Sequence, residues 1–261
     1  MKIGKNHEAY LKIKNLIKKN NNPNLTISDD LQVLKIALLF NLKIDTLLYC
    51  YELEYHEDTK ELLNELIKRA NVSYEINLAS YNAIQLKENH AGIIASIQFN
   101  EYKLQDLKNK EFIFVLDRLE IPGNIGTIYR TLESIKCDAV ILVDPVSKIN
   151  NEKITSSSRG CNLIIPTVST TYDEALNYLL NNNYDIFLGE PELGLSYQDY
   201  DYKGKVAIVV GNERFGINPD WYNHKNKKVF IPMEGSQNSL NVSVAASVLA
   251  YECYMKRKKN S

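Results

Sequence analysis

The sequence has 261 residues, of which 44% are hydrophobic and 24% are charged, and its formal net charge is −1. These values fit one large or two modest soluble domains, and they exclude a surface that is basic throughout, although a local basic patch would still bind RNA. We expect a cytoplasmic protein with reduced thiols, no membrane span and no metal site, because there is no long apolar run, no signal-peptide core and no clustered Cys or His.

The first hundred residues differ in composition from the rest of the chain. Six of the seven prolines and nine of the eleven glycines follow position 120, which predicts a smaller domain over 1–106 and a second over 107–261. Apolar periodicity in the first domain indicates a small αβ fold. We predict helices at 7–19, 29–41, 58–70 and 80–87 and strands at 44–50, 72–77 and 91–98, with Ser28 or Asp29 capping the second helix.

The second domain alternates short apolar strands with helices. We predict strands at 112–117, 139–144, 164–168, 185–190, 205–211 and 228–233, and helices at 123–135, 151–158, 171–180 and from 242 onward. This alternation is typical of a parallel sheet covered on both faces, in which ligands bind at the carboxyl ends of the strands.

A first polar stretch, "LDRLEIPGNIGTIYRT", follows the strand at 112–117. Pro122 and Gly123 form a turn, Asn124 lies at the start of a helix, and Arg130 lies within it. Glycines at a helix start let backbone N–H groups approach an anion, but the spacing fits neither of the common phosphate-binding loops. A tight turn with an exposed arginine is an equally good interpretation.

Two further stretches follow later strands. "VVGNERFGI" places Glu213 at a strand end between two glycines, and a plain polar loop would look the same. In "IPMEGSQNSLNVSVAASVLAYE", Ser239 or Asn241 would cap the last helix. The stretch nevertheless holds more hydrogen-bonding groups than one cap needs, and Ile231 and Met233 would pack against a flat ring.

Together these three stretches resemble the three motifs of the SpoU (TrmH-like) RNA ribose 2′-O-methyltransferases of the SPOUT superfamily, over about 111–255. "SSSRGCNLIIPTV" is similar to the thiostrepton-resistance branch of ribosomal RNA methyltransferases. The resemblance implies an α/β fold whose C-terminal parallel sheet carries a deep trefoil knot. It also implies an L30e-like N-terminal RNA-binding domain and a homodimer formed through the C-terminal domain.

The same resemblance implies S-adenosylmethionine as cofactor and no metal. The family-like cofactor positions are Leu188, Gly189, Gly211, Asn212, Glu213, Ile231, Met233, Ser239 and Leu240. Arg130 would bind the target phosphate and ribose, acting either as a base or only through its charge. The residues expected to hold the arginine, loops and nucleotide in register are Asn124, Glu213, Ser239 and Asn241. Arg159 would reach RNA or the partner subunit's active site, unless it is simply a surface arginine.

The leading hypothesis is methylation of a ribose 2′-hydroxyl in 23S-type ribosomal RNA, with housekeeping and antibiotic resistance both open as the biological role. Transfer RNA is the alternative substrate in the same class. A non-catalytic RNA-binding factor that keeps the fold is a second alternative, and a Rossmann-type nucleotide-binding enzyme is disfavoured because the GxGxxG motif is absent.

Overall fold

The structure is a computed structural model that describes residues 1–86 and 91–259. The chain folds into two compact units. The first comprises Met1–Asn100 and Lys148–Ile164, and the second comprises Glu101–Ser147 and Ile165–Ser261. The first crossing between the units follows Asn100, near the predicted boundary at 106/107, and the segment 148–164 lies in the first unit.

Helices and strands alternate through most of the described chain. The helices are α1 (Glu8–Lys18), α2 (Leu31–Leu39), α3 (Glu57–Arg69), α4 (Leu78–Asn82), α5 (Pro122–Ser134), α6 (Glu152–Ser157), α7 (Tyr172–Asn181) and α8 (Val242–Lys259). The strands are β1 (Leu25–Ser28), β2 (Ile44–Cys50), β3 (Val72–Ile76), β4 (Ile93–Gln98), β5 (Phe112–Asp117), β6 (Ala139–Val143), β7 (Thr167–Thr170), β8 (Asp185–Glu190), β9 (Leu195–Ser196), β10 (Val206–Val210) and β11 (Lys227–Phe230).

The first unit contains a mixed four-stranded sheet in the order β1-β4-β2-β3. Strand β4 is antiparallel to both β1 and β2, whereas β2 and β3 are parallel. Strand β1 was not predicted from the sequence. The cap prediction for α2 was wrong, because the capping side chain is Asp30, which accepts a hydrogen bond from the Gln32 backbone N–H at 2.9 Å. The helix predicted at 80–87 is the shorter α4, and residue 87 lies outside the described residues.

The segment 148–164 is held in the first unit by a buried polar network. Thr155 Oγ1 lies 3.1 Å from Thr26 Oγ1 on β1, and it also accepts a hydrogen bond from Asn162 Nδ2 at 3.2 Å. Ser158 Oγ donates to Asn162 Oδ1 at 2.8 Å. All four side chains are buried, so these bonds stabilise the packing because an unpaired buried polar group costs free energy.

The second unit is built on a seven-stranded, all-parallel sheet in the order β7-β6-β5-β10-β8-β11-β9. The central strands β5, β6 and β10 are buried along their whole length, as expected for a parallel sheet covered on both faces. The strand predicted at 164–168 begins only at Thr167, because Pro166 has no N–H to donate to a neighbouring strand.

Within the residues described, no helix is both long and apolar enough to cross a membrane. The same residues include no group of three or more His, Cys, Asp or Glu arranged to hold a metal ion. The four cysteines are free and buried.

Candidate active site

A cavity of about 440 Å³ opens at the carboxyl ends of β8, β10 and β11, which are neighbours in the sheet. Gly189, Gly211 and Ile231 lie at or just after these three strand ends and line it. The first turns of α8 form another wall, through Val242 and Ala245. This position is where parallel α/β sheets bind their ligands, as the sequence predicted.

Most of the residues predicted from the three sequence stretches meet at this cavity. Those that line it are Asn124, Gly189, Gly211, Asn212, Glu213, Ile231, Met233, Ser239, Leu240 and Asn241. Leu188 is instead fully buried in the core beneath the cavity. Arg130 is exposed on α5 and does not line the cavity, and Arg159 is exposed in the first unit with a left-handed backbone (φ 53°).

The Glu213 carboxylate binds the start of α5. The residue at the cap position, Ile121, has no side-chain acceptor, and the Glu213 carboxylate instead anchors the backbone just before the helix by accepting from the N–H groups of Ile121 at 3.2 Å and Glu120 at 3.1 Å. Asn124 Nδ2 donates to the same carboxylate at 3.0 Å. Burial raises the pKa of Glu213, but these hydrogen bonds outweigh burial and hold it below its usual value. An anion at this helix start is also favoured by the helix dipole.

Asn124 connects Glu213 to the last helix. While its Nδ2 donates to Glu213, its Oδ1 accepts from Asn241 Nδ2 at 3.3 Å. Asn241 Oδ1 in turn accepts from the Ser243 backbone N–H at 2.9 Å and therefore caps α8. A single chain of hydrogen bonds thus links the three stretches, and capping and cavity lining prove to be compatible roles for the polar run before α8.

The loop from Gly211 to Asn218 is held tightly against the sheet. A Cβ on Gly211 would lie 2.2 Å from the Gly216 carbonyl carbon, so only glycine permits this approach. Asn212 Nδ2 donates to the Arg118 carbonyl at 2.8 Å, and the buried Asp117 accepts from Asn218 N–H at 2.6 Å. Burial raises the pKa of Asp117, and its hydrogen bonds offset only part of this rise.

Arg130 differs in its surroundings from Arg118 and Arg257 of the second unit. Arg118 pairs with Asp117 and Arg257 pairs with Glu111. The side chain of Arg130 forms no ion pair or hydrogen bond with another described residue. It lies six residues beyond Asn124, which is roughly 9 Å along the helix axis and on a different side of the helix. Its charge is therefore available to a ligand outside the cavity.

Sequence reasoning missed two charged residues of the cavity. Glu190, at the end of β8, lines it and accepts a short hydrogen bond from the Tyr222 hydroxyl. Arg214 also lines it, directly after Glu213. The available signal is position alone, because Glu190 ends one strand that the apolar pattern locates and Arg214 follows another.

The profile of the SpoU rRNA Methylase family matches residues 111–251, which include the first two stretches, all but the last residue of the third, and every residue that lines the cavity. The fold, the cavity and this match together define an S-adenosylmethionine-dependent RNA 2′-O-methyltransferase. The chain belongs to the SpoU rRNA Methylase family.

Individual relatives agree with this assignment. The chain is 28% identical to the 23S rRNA (guanosine(2553)-2′-O)-methyltransferase RlmP of Bacillus subtilis over 68% of this chain and 71% of the relative. It is 30% identical to a putative TrmH family tRNA/rRNA methyltransferase of Staphylococcus saprophyticus over 77% and 90%. In fold it is similar to an AdoMet-bound rRNA methyltransferase from Sinorhizobium meliloti, with a TM-score of 0.83, 21% identity and coverage of 97% and 96%.

Proposed function

We propose that the enzyme methylates a ribose 2′-hydroxyl in 23S-type ribosomal RNA. The observation that carries the proposal is the meeting of the three family stretches around one cavity, joined by the hydrogen bonds from Glu213 through Asn124 to Asn241. The choice of ribosomal RNA is supported by the Bacillus subtilis relative, which is a 23S rRNA methyltransferase. A ribosomal substrate also makes the cytoplasm the expected compartment.

The residues of the cavity fit S-adenosylmethionine. Val210, Ile231, Met233 and Leu249 form an apolar wall suited to the adenine ring. Glu190 adds a carboxylate to the lining, which favours a cationic ligand. The bound cofactor would supply a methyl group attached to a sulfonium sulfur, and the neutral thioether that remains after transfer is a good leaving group. What remains for the protein is to position the acceptor hydroxyl and stabilise the charge that develops on it.

Arg130 would supply that stabilisation. A guanidinium stays protonated in proteins, so its role is to bind the target phosphate and ribose and to lower the free energy of the developing alkoxide, rather than to remove the proton itself. Such electrostatic help is commonly worth about 10²–10³ in rate. Ser239, together with Asn124, Glu213 and Asn241, would keep the loops and the target nucleotide in register.

The first unit would bind RNA as an L30e-like domain. Its mixed sheet with flanking helices supports this assignment, and Arg159 would be an RNA contact because it is exposed and its guanidinium forms no ion pair or hydrogen bond with another described residue. Among the lysines of α1, Lys12 already pairs with Asp45 at 2.7 Å, so its charge is less available to an RNA phosphate.

The second unit would contain a trefoil knot. After β9 is in place at the sheet edge, the chain inserts β10 beside β5 and then β11 between β8 and β9. This order of insertion supports threading of the chain through a loop formed earlier, which ordinary folds avoid.

The second unit would also form a homodimer through α8. Val244, Tyr251 and Met255 are exposed on this helix at spacings of seven and four residues, which place them on one side. Light scattering should therefore give a dimer for the wild type and a monomer for Met255→Glu. A dimeric Met255→Glu variant would place the interface elsewhere.

The experiment that tests the function is transfer of labelled methyl groups from S-adenosylmethionine. Deproteinised ribosomal RNA and transfer RNA are offered separately to the wild type and to Arg130→Ala. Label in ribosomal RNA that the variant loses supports the proposal, and the modified ribose is then mapped, beginning with the nucleotide equivalent to the target of the Bacillus relative. Label confined to transfer RNA would replace the proposed substrate. No label from protein that binds the cofactor would favour an assembled subunit as substrate, or a non-catalytic factor.

A further inference from the structure

The loop between Asn212 and Gly216 presents a large aromatic side chain at the mouth of the cavity. Phe215 is 66% exposed, although the residues on either side of it, Arg214 and Gly216, line the cavity. Two apolar residues that do line the cavity, Ile121 and Leu240, are also substantially exposed. An apolar rim around a reaction cavity is informative, because exposed apolar surface of this kind marks a binding site.

The backbone that carries Phe215 is fixed. Asn212 Oδ1 accepts hydrogen bonds from the backbone N–H groups of Arg214 at 2.9 Å and Phe215 at 3.0 Å. Asn212 and Gly216 also exchange a pair of backbone hydrogen bonds, at 3.0 and 2.9 Å. The ring is therefore held on a rigid turn rather than on a loose loop. Binding of a ligand to the ring consequently costs little conformational entropy of the protein backbone.

The ring has a cationic neighbour. The Arg214 guanidinium carbon lies 5.2 Å from the centroid of the Phe215 ring, within the range of a cation–π contact. No described residue forms an ion pair or hydrogen bond with the Arg214 side chain, and the adjacent Glu213 carboxylate is already occupied by the start of α5. A rigid exposed aromatic ring beside an unpaired arginine is the combination that binds unpaired bases and their phosphates in RNA.

We propose that Phe215 stacks on an unpaired base of the RNA substrate next to the target ribose, while Arg214 binds a neighbouring phosphate. This inference rests on the proposed function, because it assigns a role to the rim of the same cavity. A ribose that reaches a recessed cavity must leave a regular stacked helix, and this unstacking costs free energy. Stacking on Phe215 offsets part of this cost. Because every base has an aromatic face, Phe215 contributes affinity rather than base identity.

The test compares Phe215→Leu, which keeps an apolar side chain but removes the ring, with Phe215→Trp, which keeps a ring. Both are measured for RNA Kd, for KM and kcat with ribosomal RNA, and for cofactor Kd. Leu193→Ala, at another exposed apolar position of the second unit that does not line the cavity, is the control. We expect Phe215→Leu to raise the RNA Kd and KM by about 5- to 100-fold, from the usual effect of losing one stacked base, with cofactor Kd and saturating kcat unchanged.

Phe215→Trp should retain the wild-type RNA Kd and add a fluorescence signal that RNA quenches. RNA should not quench the native tryptophan, Trp221, because that side chain is only 1% exposed, so a change in fluorescence would come from the introduced ring. An unchanged RNA Kd in Phe215→Leu would overturn the inference. A parallel rise in cofactor Kd would instead indicate that the ring covers the bound cofactor. Loss of the dimer would indicate that Phe215 lies in the interface between subunits. Wild-type protein that methylates no RNA contradicts the proposed function, whereas active wild type with identical Phe215→Leu kinetics contradicts only the stacking role.

Discussion

Replacing Glu213 by Gln tests whether the carboxylate holds the start of α5. The carboxylate oxygens accept three hydrogen bonds, from Glu120 N–H, Ile121 N–H and Asn124 Nδ2. A glutamine has one acceptor oxygen, so its NH₂ group must face at least one of these donors. Charge-assisted hydrogen bonds contribute about 1.5–3 kcal/mol each, and solvent screening of a half-buried group reduces this. We expect a loss of about 1–2 kcal/mol in the free energy of unfolding at pH 7.

Urea unfolding followed by tryptophan fluorescence measures this loss, because the signal reports unfolding of the second unit, which contains Glu213. The chain has one tryptophan, Trp221, and it lies in the core of the second unit. For a slope near 2 kcal/mol per molar urea, the midpoint should fall by about 0.5–1 M. Glu192→Gln, an exposed glutamate of the same unit, should leave the midpoint unchanged.

The pH dependence gives a second check. Because the folded-state pKa of Glu213 is lowered, its stabilising contribution is present above the unfolded-state pKa and is lost as the pH falls through the folded-state value. The difference between Glu213→Gln and the wild type should therefore shrink below about pH 4. Equal midpoints at pH 7, or a difference that persists in acid, would refute the assigned role of the carboxylate.

Three further predictions follow from the same structure. Arg130→Ala should lower methyl transfer by about 10²–10³ with cofactor Kd within about twofold by calorimetry, and an equal loss of both would make the arginine structural. Gly211→Ala should abolish cofactor binding, because its Cβ would overlap the backbone of Gly216, whereas Gly123→Ala, which has open space around it, should bind normally. Asn162→Ala should destabilise the first unit by about 1–3 kcal/mol, seen as faster hydrogen exchange in β1 and α6, and unchanged exchange there would contradict the assigned role of the buried network.

Prediction from the sequence is most accurate for segments whose structure is determined by their own residues and near neighbours. Continuous apolar runs located β5, β6, β8 and β10 within about one residue, because these strands are buried on both faces. Strands β1 and β9 escaped prediction because they are short, with four and two residues, although Leu25 and Ile27 alternate with Thr26 and Ser28 in β1. Tertiary pairing rather than propensity decides that such segments form strands.

Long-range placement could not be predicted. Nothing near Thr155 in the sequence indicates that it contacts Thr26, which is 129 positions away, and so the segment 148–164 looked like part of the second domain. The cavity residues were located through motifs whose members lie far apart, such as Asn124 and Asn241. Arg214 and Phe215 carry no signal of their own, because a charged and an aromatic residue in a loop are common in any protein.

The buried network around Thr155 has a consequence for synthesis of the chain. The first unit needs residues 148–164 to satisfy Thr26 on β1, yet it is interrupted after Asn100 by β5, α5 and β6. At about 5–20 residues per second, translation takes roughly 3–13 s to proceed from residue 100 to residue 164. Throughout that interval the N-terminal part waits on the ribosome with an incomplete polar interior, while strands of the other unit emerge ahead of the segment that completes it.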